Sequence, residues 1–182
     1  MEAVIYITEI PEQYEQKNME HMTGEKLLEE ALHREYGLKL AFEPRAKGEH
    51  GKPFFTLRPK LHYNISHSGK YVVCVLAGQE VGIDIQKHKE VPYEKMLLKL
   101  VPSEMIPEIL EAEDVPEAFF RQWVLREAYT KWTGEGFYKD FRKIPMEKGH
   151  YEILDMVSGY SGALWSADPL EIRWEKVEIS LP

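Results

Sequence analysis

The chain has a single cysteine, Cys74, among 182 residues, so no disulfide can form within it. Its setting, YVVCVLAG, predicts a buried and inert thiol. No apolar run reaches the length needed to cross a bilayer. The opening MEAVIYITEIPEQ has neither the basic nor the apolar region of a secretory signal. No membrane association and a cytoplasmic setting are therefore expected. Positive charge is also short: 23 Lys and Arg stand against 31 Asp and Glu, a net charge of −8. That balance argues against a general nucleic-acid binder, which gains its affinity by neutralising phosphates. It does not exclude small anionic ligands, which respond to local clusters, and RQWVLREAYTKW followed by FYKDFRKIP is one basic concentration. No internal repeat is visible by residue identity. What the chain does have is 43% hydrophobic and 12% aromatic residues, enough for a core in one domain or two small fused ones.

Periodicity gives the elements. Residues 2–9 read as a strand. GEKLLEEALHREYG, 24–37, reads as an amphipathic helix with Leu27, Leu28, Ala31, Leu32 and Tyr36 as its stripe and Gly37 as its stop. A polar stretch, EPRAKGEHGKP, follows. LHYNIS, YVVCVLAG and EVGIDIQ read as strands, with AGQE as a hairpin turn between the last two. VPYEKMLLKLVPSEMIPEILEAED holds two short helices punctuated by prolines. PEAFFRQWVLREAYTKWTGEGF is the strongest helix, opened by Pro116 and closed by Gly134. Three strands are expected near 150–156, 162–166 and 171–180, with SADP as a turn. This order predicts an α+β fold with antiparallel sheets. Element order alone suggests two similar halves, 1–87 and 88–182, each a small antiparallel sheet with a long helix.

Four stretches could carry chemistry. On the long helix, Val124, Leu125, Ala128, Tyr129 and Trp132 share the core face, with Arg126 and Thr130 roughly opposite. Glu127 and Lys131, four residues apart, are neighbours on the flank. YNISHSGKY offers Ser66, His67, Ser68 and Gly69, which could donate several hydrogen bonds to one anion. A nucleophilic Ser66–His67 pair is disfavoured, because adjacent strand residues point to opposite faces. GEHGKPFF presents Lys52 on a turn bracketed by Gly51 and Pro53. In VGIDIQ, Asp84 and Gln86 share one strand face and could offer oxygens to Mg²⁺. Taken singly, each admits an ordinary reading: an i,i+4 ion pair, a polar hairpin, a solvated turn, a solvent-facing strand end.

In this order, GKP (51–53), YNISHSG (63–69), VGIDIQ (81–86) and W-x-x-REA-x-x-K (123–131), followed by G-x-G, resemble the motifs of 4′-phosphopantetheinyl transferases of the surfactin-synthetase-activating type. The resemblance implies a pseudo-dimer of two α+β halves with the active site between them. It implies Mg²⁺-dependent transfer of the phosphopantetheine arm of coenzyme A to a serine of an apo carrier protein, releasing adenosine 3′,5′-bisphosphate. Mn²⁺ could replace Mg²⁺. By the same match, Asp84 and Glu127 are acidic metal ligands, with Gln86 beside them where Glu is more common. Glu127 would receive the serine proton. Lys131 would hold the phosphates and neutralise the leaving group. Ser66 and His67 match positions that hold the 3′-phosphate, and Gly51, Lys52 and Pro53 match a turn packed on the adenine. Arg126 stands where Lys is usual and could clamp a phosphate. His21 is the nearest substitute for an arginine often found before the first helix.

The implied partner is an acidic, helical carrier protein. Docking would need a local basic patch, with Lys95, Lys99, Arg121 and the basic residues of 139–143 as candidates. Met96, Leu97 and Met105 could add an apolar groove, although they also suit a core. A fused pseudo-dimer has little need to associate, so a monomer is expected. Two other readings stay open from sequence: a non-catalytic coenzyme A- or carrier-binding homologue, and a hydrolase that cleaves the pyrophosphate with water.

Overall fold

A computed structural model describes residues 1–14, 19–135 and 140–181. β1 (Glu2–Glu9), β4 (His62–Ser68), β5 (Tyr71–Ala77) and β9 (Glu171–Lys176) form one sheet in the order β4-β5-β1-β9. β6 (Val81–Lys87), β7 (His150–Leu154) and β8 (Tyr160–Ser166) form a second, ordered β6-β8-β7. β2 (Arg45–Lys47) and β3 (Pro53–Phe55) make a short hairpin. The helices are α1 (Glu20–Tyr36), α2 (Tyr93–Leu100), α3 (Ile106–Leu110) and α4 (Val115–Thr133). Among the described residues no helix is long and apolar enough to cross a membrane. Pairing is antiparallel throughout the two larger sheets except between β1 and β9, which run parallel.

Period-two alternation sorts the strands into four layers. Val4, Tyr6, Val72, Cys74 and Leu76 face α1, packing against Leu27, Leu28, Ala31 and Leu32. The alternate residues Ala3, Ile5, Val73 and Val75 face the second sheet and meet Val81, Ile83, Ile85 and Leu164. The far face of the second sheet carries Ala163 and Trp165 against Val124, Leu125, Ala128 and Tyr129 of α4. The stack is α1, sheet, sheet, α4. β5 is buried on both faces, which is why YVVCVLA reads as one unbroken apolar run.

Several sequence expectations need correction. α1 begins at Glu20 rather than at Gly24, because Gly24 sits inside the helix against β4, where an added methyl would press to 3.1 Å from Ile65 Cγ2. AGQE is not a hairpin turn. β5 pairs with β1 and β4 while β6 pairs with β8, so these residues carry the chain from one sheet to the other. The sheets also exchange strands across the expected boundary at 87/88: β6 joins β7 and β8, and β9 returns to β1. Gly82 shows how closely α4 lies on β6, since a Cβ there would collide with the backbone of Ala128 and Trp132.

α4 is buried more completely than its stripe predicts. Every residue from Val124 to Thr130 is buried, including Arg126, which the sequence placed opposite the core. Asp114 caps the helix by accepting from the Glu117 N–H at 2.9 Å, and Gly134 ends it in the left-handed conformation. The helix layer on the flank of α4 settles the fate of Leu97, which is fully buried with Leu100, Ile109, Phe119 and Phe120. Met96 and Met105 pack against the same cluster.

Candidate active site

The site grows from the meeting of β6 and α4. Val81, Ile83 and Ile85 point into the core between the sheets, so Gly82, Asp84 and Gln86 must face the other way. Glu127 and Lys131, one turn apart on α4, face the same junction. Lys131 Nζ donates to Asp84 Oδ1 at 2.7 Å, to Ser66 Oγ at 3.0 Å and to the Ile83 carbonyl at 3.1 Å. Ser66 Oγ donates to the same Asp84 oxygen at 2.8 Å. Gln86 Nε2 donates to the other, Asp84 Oδ2, at 3.1 Å. Asp84 is only 2% exposed, so these donors replace its hydration. Glu127 is 8% exposed. Burial, with the negative charge of Asp84 added, raises its carboxyl pKa to about 7 against the opposing effect of Lys131.

β4 contributes a seam. Asn64, Ser66 and Ser68 share the face of β4 turned toward the second sheet. Asn64 Oδ1 accepts from the Ile83 N–H at 2.9 Å, Ser66 Oγ from Ile85 at 3.2 Å and Ser68 Oγ from Lys87 at 2.9 Å. Three side chains thus satisfy the open edge of β6 in place of a backbone partner. His67, by alternation, faces α1. The sequence grouped Ser66 with His67 at one phosphate, and the structure separates them: Ser66 is 3% exposed and committed to Asp84 and Lys131.

A cleft leads to this junction. A cavity of about 230 Å³ is lined by His50, Gly51, Lys52, Pro53, Asn64, Glu127, Thr130, Lys131 and Gly134. Gly51, Pro53 and Asn64 also line a wider cavity of about 850 Å³, whose walls include His21, Glu25, Arg45, Lys47, Tyr63 and His67. The two spaces share a wall, with Glu127 and Lys131 on the narrow part and a mixed set of charges, Arg45 and Lys47 beside Glu20 and Glu25, on the wide part. Gly51, at φ 89°, makes the turn of the β2–β3 hairpin that forms this wall.

The expected residues are thus distributed unevenly. Asp84, Gln86, Glu127 and Lys131 converge. Gly51 and Pro53 line the cleft, and His21 and His67 share its wide end. Lys52 borders the cleft, but its ammonium is spent on structure. It pairs with Glu80 and donates to the carbonyls of Trp132 at 2.8 Å and Val81 at 3.2 Å, and burial holds its pKa below the usual lysine range. It ties the hairpin to the C-terminal end of α4 rather than projecting toward a ligand. Arg126 lies on the other side of the helix at 2% exposure. It donates to the Phe141 carbonyl at 3.2 Å and to Gln122 Oε1 at 2.6 Å, and burial alone lowers its pKa to about 10. A side chain so placed braces the loop after α4 and does not reach the cleft. Arg121 is flanked by Glu113, Asp114 and Glu117, which breaks up the basic patch expected for an acidic partner. Lys139 and Gly136, also singled out by sequence, lie outside the described residues.

Sequence reasoning missed Asn64, Arg45 and Glu25. Asn64 was legible by its i, i+2, i+4 spacing with Ser66 and Ser68. Arg45 and Lys47 flank Ala46 on β2, an alternation hidden in a stretch that reads as a flexible polar loop. Glu25 is an ordinary surface helix residue until the hairpin is folded against it.

A four-layer stack with an acid–lysine pair held at the junction of a strand and a buried helix, beside a cleft, defines an α+β protein with a charged site. Residues 80–177 match the model of the 4′-phosphopantetheinyl transferase superfamily, and the chain belongs to that superfamily. Similar curated proteins include the 4′-phosphopantetheinyl transferase Sfp of Bacillus subtilis (strain 168), 30% identical over 118 residues, 63% of this chain and 52% of that one. The 4′-phosphopantetheinyl transferase gsp of Aneurinibacillus migulanus is 34% identical over 134 residues, 70% of this chain and 56% of the relative. A putative 4′-phosphopantetheinyl transferase of Haemophilus influenzae is 35% identical over 133 residues, 68% and 54% of the two chains. In each case the match spans about half the length of the relative.

Proposed function

We propose that this chain transfers the 4′-phosphopantetheine arm of coenzyme A to the serine hydroxyl of an apo carrier protein and releases adenosine 3′,5′-bisphosphate. The observation that supports this most is the convergence of Asp84, Glu127 and Lys131 beside the narrow part of a cleft whose wide part carries Arg45, Lys47, His21 and His67. In the reaction the serine oxygen bonds to the phosphorus next to the pantetheine, and the bond from that phosphorus to the bisphosphate oxygen breaks. Glu127 takes the serine proton. A carboxyl poised at about 7 suits that task near neutral pH. Lys131 stabilises the charge that collects on the leaving oxygen.

The donor set fits Mg²⁺, or Mn²⁺ in its place. Among the described residues no three His, Cys, Asp or Glu side chains converge on a metal site. Asp84 and Glu127, with the Gln86 amide, are the hard oxygen donors. Mg²⁺ commonly takes one or two carboxylates and leaves its other positions to water and phosphate. The charge of one carboxylate already raises the pKa of the other, and a bound cation relieves that cost. Mg²⁺ held there would offset the charge of the pyrophosphate.

The test follows the mass of an apo carrier protein incubated with the chain, coenzyme A and Mg²⁺. A gain of one phosphopantetheine arm is expected. Glu127→Gln should abolish the gain while calorimetry still detects coenzyme A binding. Bisphosphate released without any carrier would instead favour a hydrolase. Coenzyme A binding with no gain across fatty-acid, polyketide and peptide carriers would favour a non-catalytic binder.

A further inference from the structure

Arg45 presents a guanidinium fork in the wide end of the cleft, and that fork already has a partner. Its two terminal nitrogens donate to the two oxygens of Glu25, Nη1 to Oε1 at 2.9 Å and Nη2 to Oε2 at 2.6 Å. Nη1 also donates to the Tyr63 hydroxyl at 3.3 Å. The side chains of Arg45 and Glu25 keep 29% and 33% of their exposure, so a ligand in the cavity can reach them. Both belong to the wall of the 850 Å³ space, with Lys47, His21, His67 and a second carboxylate, Glu20. The fork that holds a carboxylate with two parallel bonds also matches two oxygens of a phosphate. Coenzyme A is anionic in two places, the pyrophosphate and the ribose 3′-phosphate. The pyrophosphate belongs with Lys131 at the narrow end, which leaves the 3′-phosphate for the wide end.

We propose that Glu25 is a specificity-determining residue: it occupies the Arg45 fork, and the 3′-phosphate of coenzyme A must displace it to bind. This rests on the reading of the cleft as a coenzyme A site. Glu25 stands on α1, held within reach of Arg45 by the fold. It therefore competes as an intramolecular ligand at high effective concentration. Its negative charge also opposes an incoming phosphate. Together these reduce what the 3′-phosphate adds to affinity, and the cleft tolerates ligands that lack it better than a free arginine would allow.

The experiment is calorimetric titration of the full chain with coenzyme A and with 3′-dephospho-coenzyme A. Glu25→Gln keeps the shape of the side chain and removes its charge. The pair is partly exposed, so the fold should be undisturbed, as a thermal melt will show. Coenzyme A should bind Glu25→Gln roughly tenfold more tightly, while 3′-dephospho-coenzyme A changes little. Arg45→Gln should bring the two ligands close to equal affinity. An equal gain for both ligands in Glu25→Gln overturns the proposal, as does a selective loss for coenzyme A, which would make Glu25 a support that orients the arginine. Full discrimination retained by Arg45→Gln also overturns it. If wild type binds neither ligand, the coenzyme A reading itself fails, a pattern distinct from altered discrimination.

Discussion

At the scale of single residues, Gln86 sets the character of the acidic junction. Its amide nitrogen donates to Asp84 Oδ2 at 3.1 Å, and the Ser68 hydroxyl lies 3.5 Å from its amide oxygen. A glutamate has no donor to give Asp84, so Gln86→Glu would set two carboxylates side by side. Like charges about 4 Å apart cost about 1 kcal/mol at the dielectric of bulk water and about 4 kcal/mol at the effective dielectric of a protein surface. The expected outcome is a lower melting temperature without Mg²⁺ and a larger Mg²⁺-dependent rise than in wild type. Thermal melts across a Mg²⁺ series measure both, independently of catalysis. An unchanged Mg²⁺ response would place Gln86 away from the cation. The pairing of Asp84 with Gln86 on one face was legible because a strand alternates strictly. The commitments of Ser66, Lys52 and Arg126 were not, because sequence spacing gives a direction but not what lies at the end of it. Arg126 is the clearest case: its place on the polar side of an amphipathic wheel says nothing of a loop folding over that side.

At the scale of elements, the seam between β4 and β6 separates two kinds of cost. Asn64 accepts from the buried Ile83 N–H and Ser68 from the exposed Lys87 N–H. Asn64→Ala orphans a donor that water cannot reach, a loss of about 1–3 kcal/mol. Ser68→Ala leaves a donor that water can satisfy, so its cost should be well under half as large. Denaturant unfolding of the two variants compares them directly: two equally small losses would mean that water enters the seam along its whole length, and two equally large ones that it is excluded throughout. Element existence was largely legible: β1, β5, β6 and α4 follow from periodicity, caps and glycine stops. Pairing was not. AGQE has the composition of a hairpin turn, but a turn signal cannot say whether the next strand stays in the sheet or leaves it. Here β5 already has neighbours on both sides, so β6 is left to the other sheet.

At the scale of the whole molecule, exchanged strands bind the layers into one unit. β9 follows β8 of the second sheet in the chain but adds to β1 of the first. Beyond it the Val177 N–H donates to the Ile7 carbonyl at 3.0 Å, and the buried Val177 side chain packs in the α1 core. The inner core joins residues of both sheets in one cluster. Neither sheet can melt without exposing the inner face of the other, so one cooperative transition is expected. Val177→Ala tests this from one side. It removes two methyl groups from the α1 core, at a cost of about 1–3 kcal/mol. Trp123 and Trp132 on α4 and Trp165 on β8 sit in the opposite layers, and replacing the exposed Trp174 of β9 by phenylalanine in both proteins leaves fluorescence to report those layers alone. If the layers unfold together, tryptophan fluorescence should shift its midpoint by the same amount as far-ultraviolet circular dichroism, and calorimetric and van't Hoff enthalpies should agree. A fluorescence midpoint left at its wild-type value while the dichroism moves would show the two sheets unfolding separately.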